Sequence, residues 1–539
     1  MVKAETLSDL FVKATSEFSG LVMNRMADGS ESYTFSTFRA AATSMSELLS
    51  AHGVGTGDKV AIFSAGHVNW PVAFFAATAF GRVAVPVLPE FSENEVANVL
   101  QHSESKALFA SRKCLAKVPA AVLDQLSLVV ELESLRIVRQ KKSDVDAAAV
   151  PSLNPDDLAV LIYTSGTTGS AKGVMLTHRN FSANLDAFIY IYVIGTKDVL
   201  LSVLPLAHAY ELSIGLLYPF ASGSQVVYIS KPPTPSYLLP VLANVKPTVM
   251  LVVPLLIEKI YKGIVLSMLR KSKFLQWMDK HAHTLLARII CKKIIRAFGG
   301  RLAFFGIGGA KLDLEVEKFL HTGKFPYFIG YGLTECAPLV CISDYHDTIP
   351  GSIGYAIQGV DVRLDNVNAK TGEGEIVVKG RNVMPGYYKD PERTAEAFNS
   401  EGWFRTKDLA VVTEDGRYFI KGRLGNMIVG ASGENIYPEE IESVFSELPE
   451  VDDVIVLHRG GKLVALVRLT KEALDLSQPK DLVVKAKMEH IRSYMLKYVN
   501  AKVKAHSQIS KVEFMTEPFE KTATLKIRRF LYAESAPTI

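Results

Sequence analysis

Along the first 110 residues the spacing of apolar positions switches repeatedly between helical and strand-like. Residues 36–52 carry helical spacing, 59–63 is a short β-rich run, and 72–80 is helical again and leads into a strand at 83–86. Strands that alternate with helices predict a layered α/β architecture with a parallel sheet. Residues 141–154 are polar and alanine-rich, which suits a surface connection. From 158 to about 340 the alternation resumes, with strands expected at 199–203, 225–229, 249–252, 302–305 and 327–330.

Beyond residue 350 the pattern becomes one of short β segments, such as 374–379 and 417–420, separated by Gly and Asp. A small β-barrel-like subdomain fits this. The stretch 423–433 reads as a boundary. After it, residues 437–445 open a helix with Pro438, Glu439 and Glu440 in the first turn, where a proline and negative charge are favoured. Strands at 453–457 and 463–469 and a long helix over 479–499 follow. The expected architecture is α/β. A large N-terminal domain, residues 1–422, combines layered α/β subdomains with the β-barrel-like unit, and residues 423–539 form a small α+β domain.

Composition narrows the function classes. A chain of 539 residues, 48% hydrophobic and 22% charged, is long enough for at least two packed units. A net charge of only +4 argues against a dedicated nucleic-acid protein, and no nucleic-acid partner is expected. The four cysteines, Cys114, Cys291, Cys336 and Cys341, form no C-x-x-C pair and no metal spacing, which favours a reducing compartment. The first ten residues hold Lys3 and Glu5 and no long apolar core, so no signal peptide is expected. No apolar run reaches 18 residues, and the stretch 249–257 is interrupted by Pro254. The expectation is a cytoplasmic protein, either soluble or peripheral at a membrane.

The strongest chemical signal is the stretch 158–178. An apolar β run, 158–163, and a second run beginning at Gly173 flank a loop containing Thr164, Ser165, Gly166, Thr167, Thr168, Gly169, Ser170 and Lys172. Glycine lets backbone N–H groups turn toward an anion, hydroxyls add donors, and one lysine supplies a mobile cation. That combination suits a nucleotide polyphosphate. It is not the P-loop of common ATPases, because Ala171 stands where that motif needs glycine and Gly173 where it needs a hydroxyl.

Other motifs are weaker singly. Gly306, Gly308 and Gly309, with Ala310, follow a predicted strand, and such glycines either make a structural turn or let a flat ring lie against the backbone. Tyr331, Gly332, Thr334 and Glu335 end the next strand with a ring, a flexible glycine, a hydroxyl and a carboxylate. These are parts for stacking a base, donating to a phosphate and holding Mg²⁺ through hard oxygen, although Thr-Glu is also a common helix cap. Asp408 follows an aromatic run and could accept from ribose hydroxyls, and Arg423 stands at the predicted domain border.

All five motifs in this order resemble the adenylate-forming, AMP-binding superfamily over roughly residues 20–530. The resemblance implies that Thr164 to Lys172 hold ATP phosphates, that Gly308, Gly309 and Ala310 line the adenine and acyl pocket, and that Tyr331 and Gly332 flank adenine. It implies that Thr334 contacts the α-phosphate, that Glu335 and Thr164 coordinate Mg²⁺, that Asp408 holds the ribose, and that Arg423 neighbours ribose and phosphate. Lys526 corresponds to the adenylation lysine, carried by a mobile C-terminal domain whose other face, around Gly433, serves coenzyme A. Leu525 stands where the family usually has glycine, Glu520 where it usually has proline, and Gly425 where its hinge residue is commonly Asp or Lys.

The segment 204–211 resembles long-chain fatty acyl-CoA synthetases, which implies a fatty acid as substrate, with His208 either bordering the acyl site or an ordinary core histidine. Residues 259–301 carry eleven Lys and Arg against Asp279 alone, so this segment holds +10 and the net +4 of the chain leaves −6 elsewhere. Arg288, Lys292 and Arg296 recur every four residues, opposite Leu286, Ile290 and Ile294. Such a helix is either a solvated face over the core or a surface for an anionic membrane. Two further functions stay open: an acyl-AMP ligase that loads a carrier protein, and a non-catalytic module that binds nucleotide or acyl-adenylate.

Overall fold

The computed structural model describes residues 1–141, 152–165, 171–344, 346–429, 434–470, 473, 481–521 and 527–532. Among these, two large sheets build the N-terminal domain. The first has nine strands, in the order Tyr355–Ala356, Leu339–Asp344, Tyr327–Gly332, Phe304–Gly308, Val249–Val252, Val199–Ser202, Gln225–Tyr228, Val22–Met26 and Ser32–Thr34. The second has eight, from Gly386–Tyr387 through Ala171–Thr177, Leu158–Ser165, Val83–Val87, Lys59–Phe63, Ser105–Ala110 and Leu128–Glu131 to Arg136–Gln140. Most inner pairs are parallel, but Tyr327–Gly332 with Leu339–Asp344 and Leu158–Ser165 with Ala171–Thr177 are antiparallel, and both sheets end in antiparallel strands, so the expected parallel sheet is realised as two mixed ones.

Alternation along a strand decides which core each side chain enters. In Lys59–Phe63, Val60 and Ile62 join the main hydrophobic cluster, while Ala61 and Phe63 join a second cluster on the opposite face of the sheet. Both faces are therefore covered, as expected where parallel strands read as continuous apolar runs. The helix Asn69–Thr78 is buried at every position. Its Trp70 stacks on Phe74, and Phe75 lies 4.5 Å from Phe220, which joins residues 69–78 to the region around 220.

Local chemistry starts the helices where the sequence changes period. Thr34, Ser92 and Thr177 each accept from the N3 backbone while the N3 side chain returns a bond to the cap residue. His178 is structural: its buried Nδ1 accepts from Leu7 N–H, and burial lowers its pKa to about 4, so the ring stays neutral.

After residue 350 the chain forms a four-stranded antiparallel sheet in the order Val360–Asp365, Gly374–Gly380, Phe404–Val412 and Tyr418–Arg423. The small β unit expected here is this four-stranded sheet, whose Tyr418 edge is bridged by Gly354. The smaller C-terminal domain packs the helices Pro438–Ser446 and Asp481–Lys502 with the strands Val451–Arg459, Lys462–Leu469 and Lys511–Phe514. Its core of Ile441, Phe445, Val456, Ala465, Val499 and Phe514 is separate from those of the large domain. Contacts nevertheless cross: Tyr437 Oη donates to Glu373 at 2.8 Å, and Arg528 pairs with Glu95 at 3.2 Å.

Candidate active site

The candidate groups gather where parallel strands of the first sheet end. Phe304–Gly308 and Tyr327–Gly332 are neighbours in register, with Gly308 opposite Gly330, and both lead into their loops at the carboxyl edge. Open α/β sheets bind ligands at this edge because the strand ends leave a crevice there. Gly332 is required by packing, since a Cβ there would stand 2.0 Å from Pro338 O. Gly309 has φ +86°, a left-handed conformation that an L side chain would strain. Thr334–Cys336 then forms a short 3₁₀ turn that carries Glu335.

The two β runs of the signature stretch pair as a hairpin, with Thr164 opposite Lys172 and Ser165 opposite Ala171. Gly166, Thr167, Thr168 and Gly169 lie outside the described residues, as do Gly433, Leu525 and Lys526. The hairpin also pairs with Gly386–Tyr387. That pairing brings Tyr387 to the site: its hydroxyl donates to Glu335 Oε1 at 2.9 Å, and Lys172 Nζ stands 5.1 Å from its ring centroid. Burial lowers the Lys172 pKa from its ordinary value, while Glu335 opposes that shift. A lysine, a hydroxyl and a carboxylate from three separate segments thus converge near the Thr164–Lys172 end of this strand pair.

On the other side, Tyr331 Oη donates to Asp408 Oδ2 at 2.7 Å and Arg423 Nε contacts Oδ1 at 3.0 Å. Asp408 is buried, its backbone N–H bonds Thr406 Oγ1, and Asp408 and Arg423 are register partners across two antiparallel strands. The charge of Asp408 raises the Arg423 pKa above its ordinary value. Asp408, Tyr331 and Arg423 are therefore brought together.

Tyr210 and Tyr387 were missed in the sequence. A Cβ on Gly306 would meet Tyr210 Oη at 2.7 Å, and one on Gly308 would meet its ring at 3.3 Å, so the flat ring against this glycine strand is the chain's own. Tyr210 stands two residues after His208, a signal that could have been read. His208 is half-buried, in the turn before the π-helix Glu211–Leu217. Glu211 is fully buried, accepts from Ser202 Oγ at 2.5 Å, and burial raises its pKa to about 8.

Among the described residues no group of three or more His, Cys, Asp or Glu could hold a metal ion by itself. Mg²⁺ does not require one, because it commonly keeps waters and phosphate oxygens and takes one or two carboxylates from the protein. Glu335 and the half-buried Thr164 fit that reduced donor set.

Residues 15–388 match the AMP-binding enzyme family. The chain is 30% identical to a long-chain-fatty-acid–CoA ligase of Mycobacterium bovis, over 92% of this chain and 89% of that protein. It is 28% identical to a medium-chain fatty-acid–CoA ligase of Escherichia coli K12, over 93% and 85% respectively. Among solved structures, the o-succinylbenzoate CoA synthetase of Bacillus subtilis with its acyl-adenylate intermediate superposes with a TM-score of 0.77 at 22% identity, covering 98% of this chain and 99% of that one. A fatty acyl CoA synthetase of Mycobacterium tuberculosis reaches a TM-score of 0.66 at 22% identity, over 98% and 97%. These likenesses extend over the whole fold and over the segments that carry the site, and the chain belongs to the AMP-binding enzyme family.

Proposed function

We propose that this protein is an acyl-CoA ligase that activates a long-chain fatty acid, first to an acyl-adenylate with release of pyrophosphate and then to the coenzyme A thioester with release of AMP. Family membership and relatives named as fatty-acid–CoA ligases support the ligase reading. The observation that carries it is the convergence of Lys172, Tyr387 and Glu335 on one side and Tyr331, Asp408 and Arg423 on the other, at the end of the glycine strand.

The attacking carboxylate is already ionised, so no side-chain nucleophile is needed. Catalysis is positioning together with neutralisation of charge at phosphorus. Lys172 and the loop at 164–169 hold the β- and γ-phosphates, Asp408 and Arg423 hold the ribose end, and Thr334 faces the α-phosphate. Glu335, fixed by Tyr387, and Thr164 would hold Mg²⁺, which when bound would offset phosphate charge. Lys526 serves the first step. We place the domain boundary at Arg423, with residues 1–422 and 423–539 as the two units. Gly425 beside it adopts no left-handed φ and a Cβ there would meet nothing within 4 Å, so the observed backbone does not demand glycine. Its freedom would serve rotation of the C-terminal domain between the two half-reactions, with the segment around Gly433 facing coenzyme A in the second. Peripheral contact with an anionic membrane through residues 259–301 belongs to the same reading.

A medium-chain acid is the second reading, favoured by Tyr210 on the glycine strand and by the E. coli relative. The deciding experiment follows AMP and pyrophosphate release over acids from acetate to oleate with ATP, Mg²⁺ and coenzyme A. A maximum of kcat/KM at long chains supports the first reading, and one at acetate or benzoate rejects both. Pyrophosphate release without free thioester would indicate transfer to a carrier protein, and no pyrophosphate release with any acid would indicate a binding module.

A further inference from the structure

The chain between the strands Val249–Val252 and Phe304–Gly308 makes a helical excursion from one edge of the site and back. It leaves through Val253, whose side chain lies 3.8 Å from a Cβ built on Gly309. The excursion contains the helices Lys273–His281 and His283–Ala297, joined by the single residue Ala282.

The apolar row that the sequence shows on the second helix is not available to a membrane. Leu286, Ile290 and Ile294 are buried in the main core. The opposite face carries Leu285 and Ile289 in its first turns, beside the exposed Arg288, Lys292 and Arg296. On the first helix no residue is buried. Leu275 and Met278 pack partly toward the core, while Phe274, Trp277 and His281 follow one another at helical spacing on the outer side. Phe274 and Trp277 stack with centroids 6.3 Å apart, and the exposed Lys273 and Lys280 flank them one heptad apart. Phe274, Trp277, Leu285 and Ile289 are 65%, 55%, 55% and 40% exposed.

The charge is real rather than cancelled. Asp279 is bonded to His283 at 2.8 Å on its own surface and offsets one cation at most. Lys262 donates to Ser446 O in the C-terminal domain and Arg301 to Lys197 O, so those two are turned to the protein. The outward cations remain.

We propose that the outer faces of these two helices dock the enzyme on an anionic lipid surface, with Phe274 and Trp277 entering the headgroup boundary and Arg288, Lys292 and Arg296 facing lipid phosphates. This deepens the acyl-ligase reading and rests on it for its purpose, since an insoluble acid resides in such a surface. Exposed aromatic and aliphatic groups flanked by lysines are the pattern of helices that lie in a membrane interface. A nucleic acid would use the cations and could stack on the rings, but it gives Leu285 and Ile289 no apolar partner.

The test uses the full-length protein and vesicles of phosphatidylcholine, alone or mixed with phosphatidylglycerol, and reads both cosedimentation and tryptophan emission. No substrate is added, so the result stands whether or not the ligase reading holds, and thermal unfolding checks that each variant is folded. The protein should partition to the mixed vesicles, less so at high salt, with a blue shift of emission that Trp277→Phe removes, since of the other two tryptophans Trp70 is buried in the core and the half-buried Trp403 is covered by Arg363, whose Cζ lies 4.4 Å from its ring centroid. Arg288→Gln/Lys292→Gln/Arg296→Gln should lower partitioning about 100-fold. Phe274→Ser/Trp277→Ser should lower it further at high salt, where charge is screened. Equal binding to neutral and mixed vesicles, retained binding in the folded variants, or no emission shift would overturn the proposal. Tight binding of an oligonucleotide without any vesicle effect would also overturn it and assign the patch to nucleic acid.

Discussion

Arg423 and Asp408 face each other across two antiparallel strands, Nε to Oδ1 at 3.0 Å, and Tyr331 Oη takes the other carboxylate oxygen at 2.7 Å. Both oxygens are thus held before any ligand arrives, which fixes the direction of the remaining lone pairs. Half-exposed Arg423 can turn toward a phosphate without breaking the strand pairing, because its backbone rather than its side chain makes the register.

Asp408→Asn keeps the shape, removes the charge and leaves Arg423 without its partner. The expected outcome is a rise of about 10- to 100-fold in the KM for ATP, read by steady-state kinetics with saturating acid, in line with loss of a charged hydrogen bond of about 1.5–3 kcal/mol. Tyr331→Phe removes only the neutral donor and should cost less. Unchanged ATP affinity in Asp408→Asn would mean that this carboxylate organises the sheet and does not meet the nucleotide.

Lys526→Ala separates the half-reactions. If this lysine neutralises charge during adenylation alone, acid-dependent pyrophosphate exchange should fall by about 10²- to 10³-fold, comparable to losing one preorganised donor. Conversion of supplied acyl-AMP and coenzyme A to thioester should stay near the wild-type rate. Equal damage to both steps would point to a shared role or misfolding, and no damage would mean that Leu525 and Glu520 have moved the lysine from the site.

Glu211 makes stability depend on pH. Its carboxyl ordinarily titrates near 4.5 and burial raises it to about 8 in the folded chain. Between those values the folded chain holds a proton that the unfolded chain has lost. Stability therefore falls as pH rises from about 4.5 to about 8 and levels off above, by a few kcal/mol at roughly 1.4 kcal/mol per unit. Glu211→Gln cannot titrate and its carbonyl can still accept from Ser202. The gap in Tm between variant and wild type should be near zero at about pH 5 and widen by a few degrees toward about pH 9. A gap independent of pH would show that Glu211 is not a neutral acid in the core.

Local pattern determined a definite part of this protein. The strands at 59–63 and 249–252 stand where their apolar runs end, because short β-rich runs bounded by turns carry their own limits. The order of the glycine loop, the Tyr331 to Glu335 turn, Asp408 and Arg423 was also legible, since each needs a residue type at a fixed local spacing. Tertiary structure decided which of these meet. Tyr331 and Asp408 lie 77 residues apart, and Tyr387 reaches Glu335 over 52. Such pairs follow from sheet register, which no local period encodes. Register also decided the strand expected at 302–305, which lies at Phe304–Gly308 because pairing with Val249–Val252 and Tyr327–Gly332 carries Gly306 and Gly308 into the ladder. Likewise Leu286, Ile290 and Ile294 share one face by period alone, and packing buries that face in the core, while Phe274 and Trp277 stand exposed because their helix turns Leu275 and Met278 inward instead. A period marks which residues share a face, and only the neighbouring elements determine whether that face meets water, core or lipid.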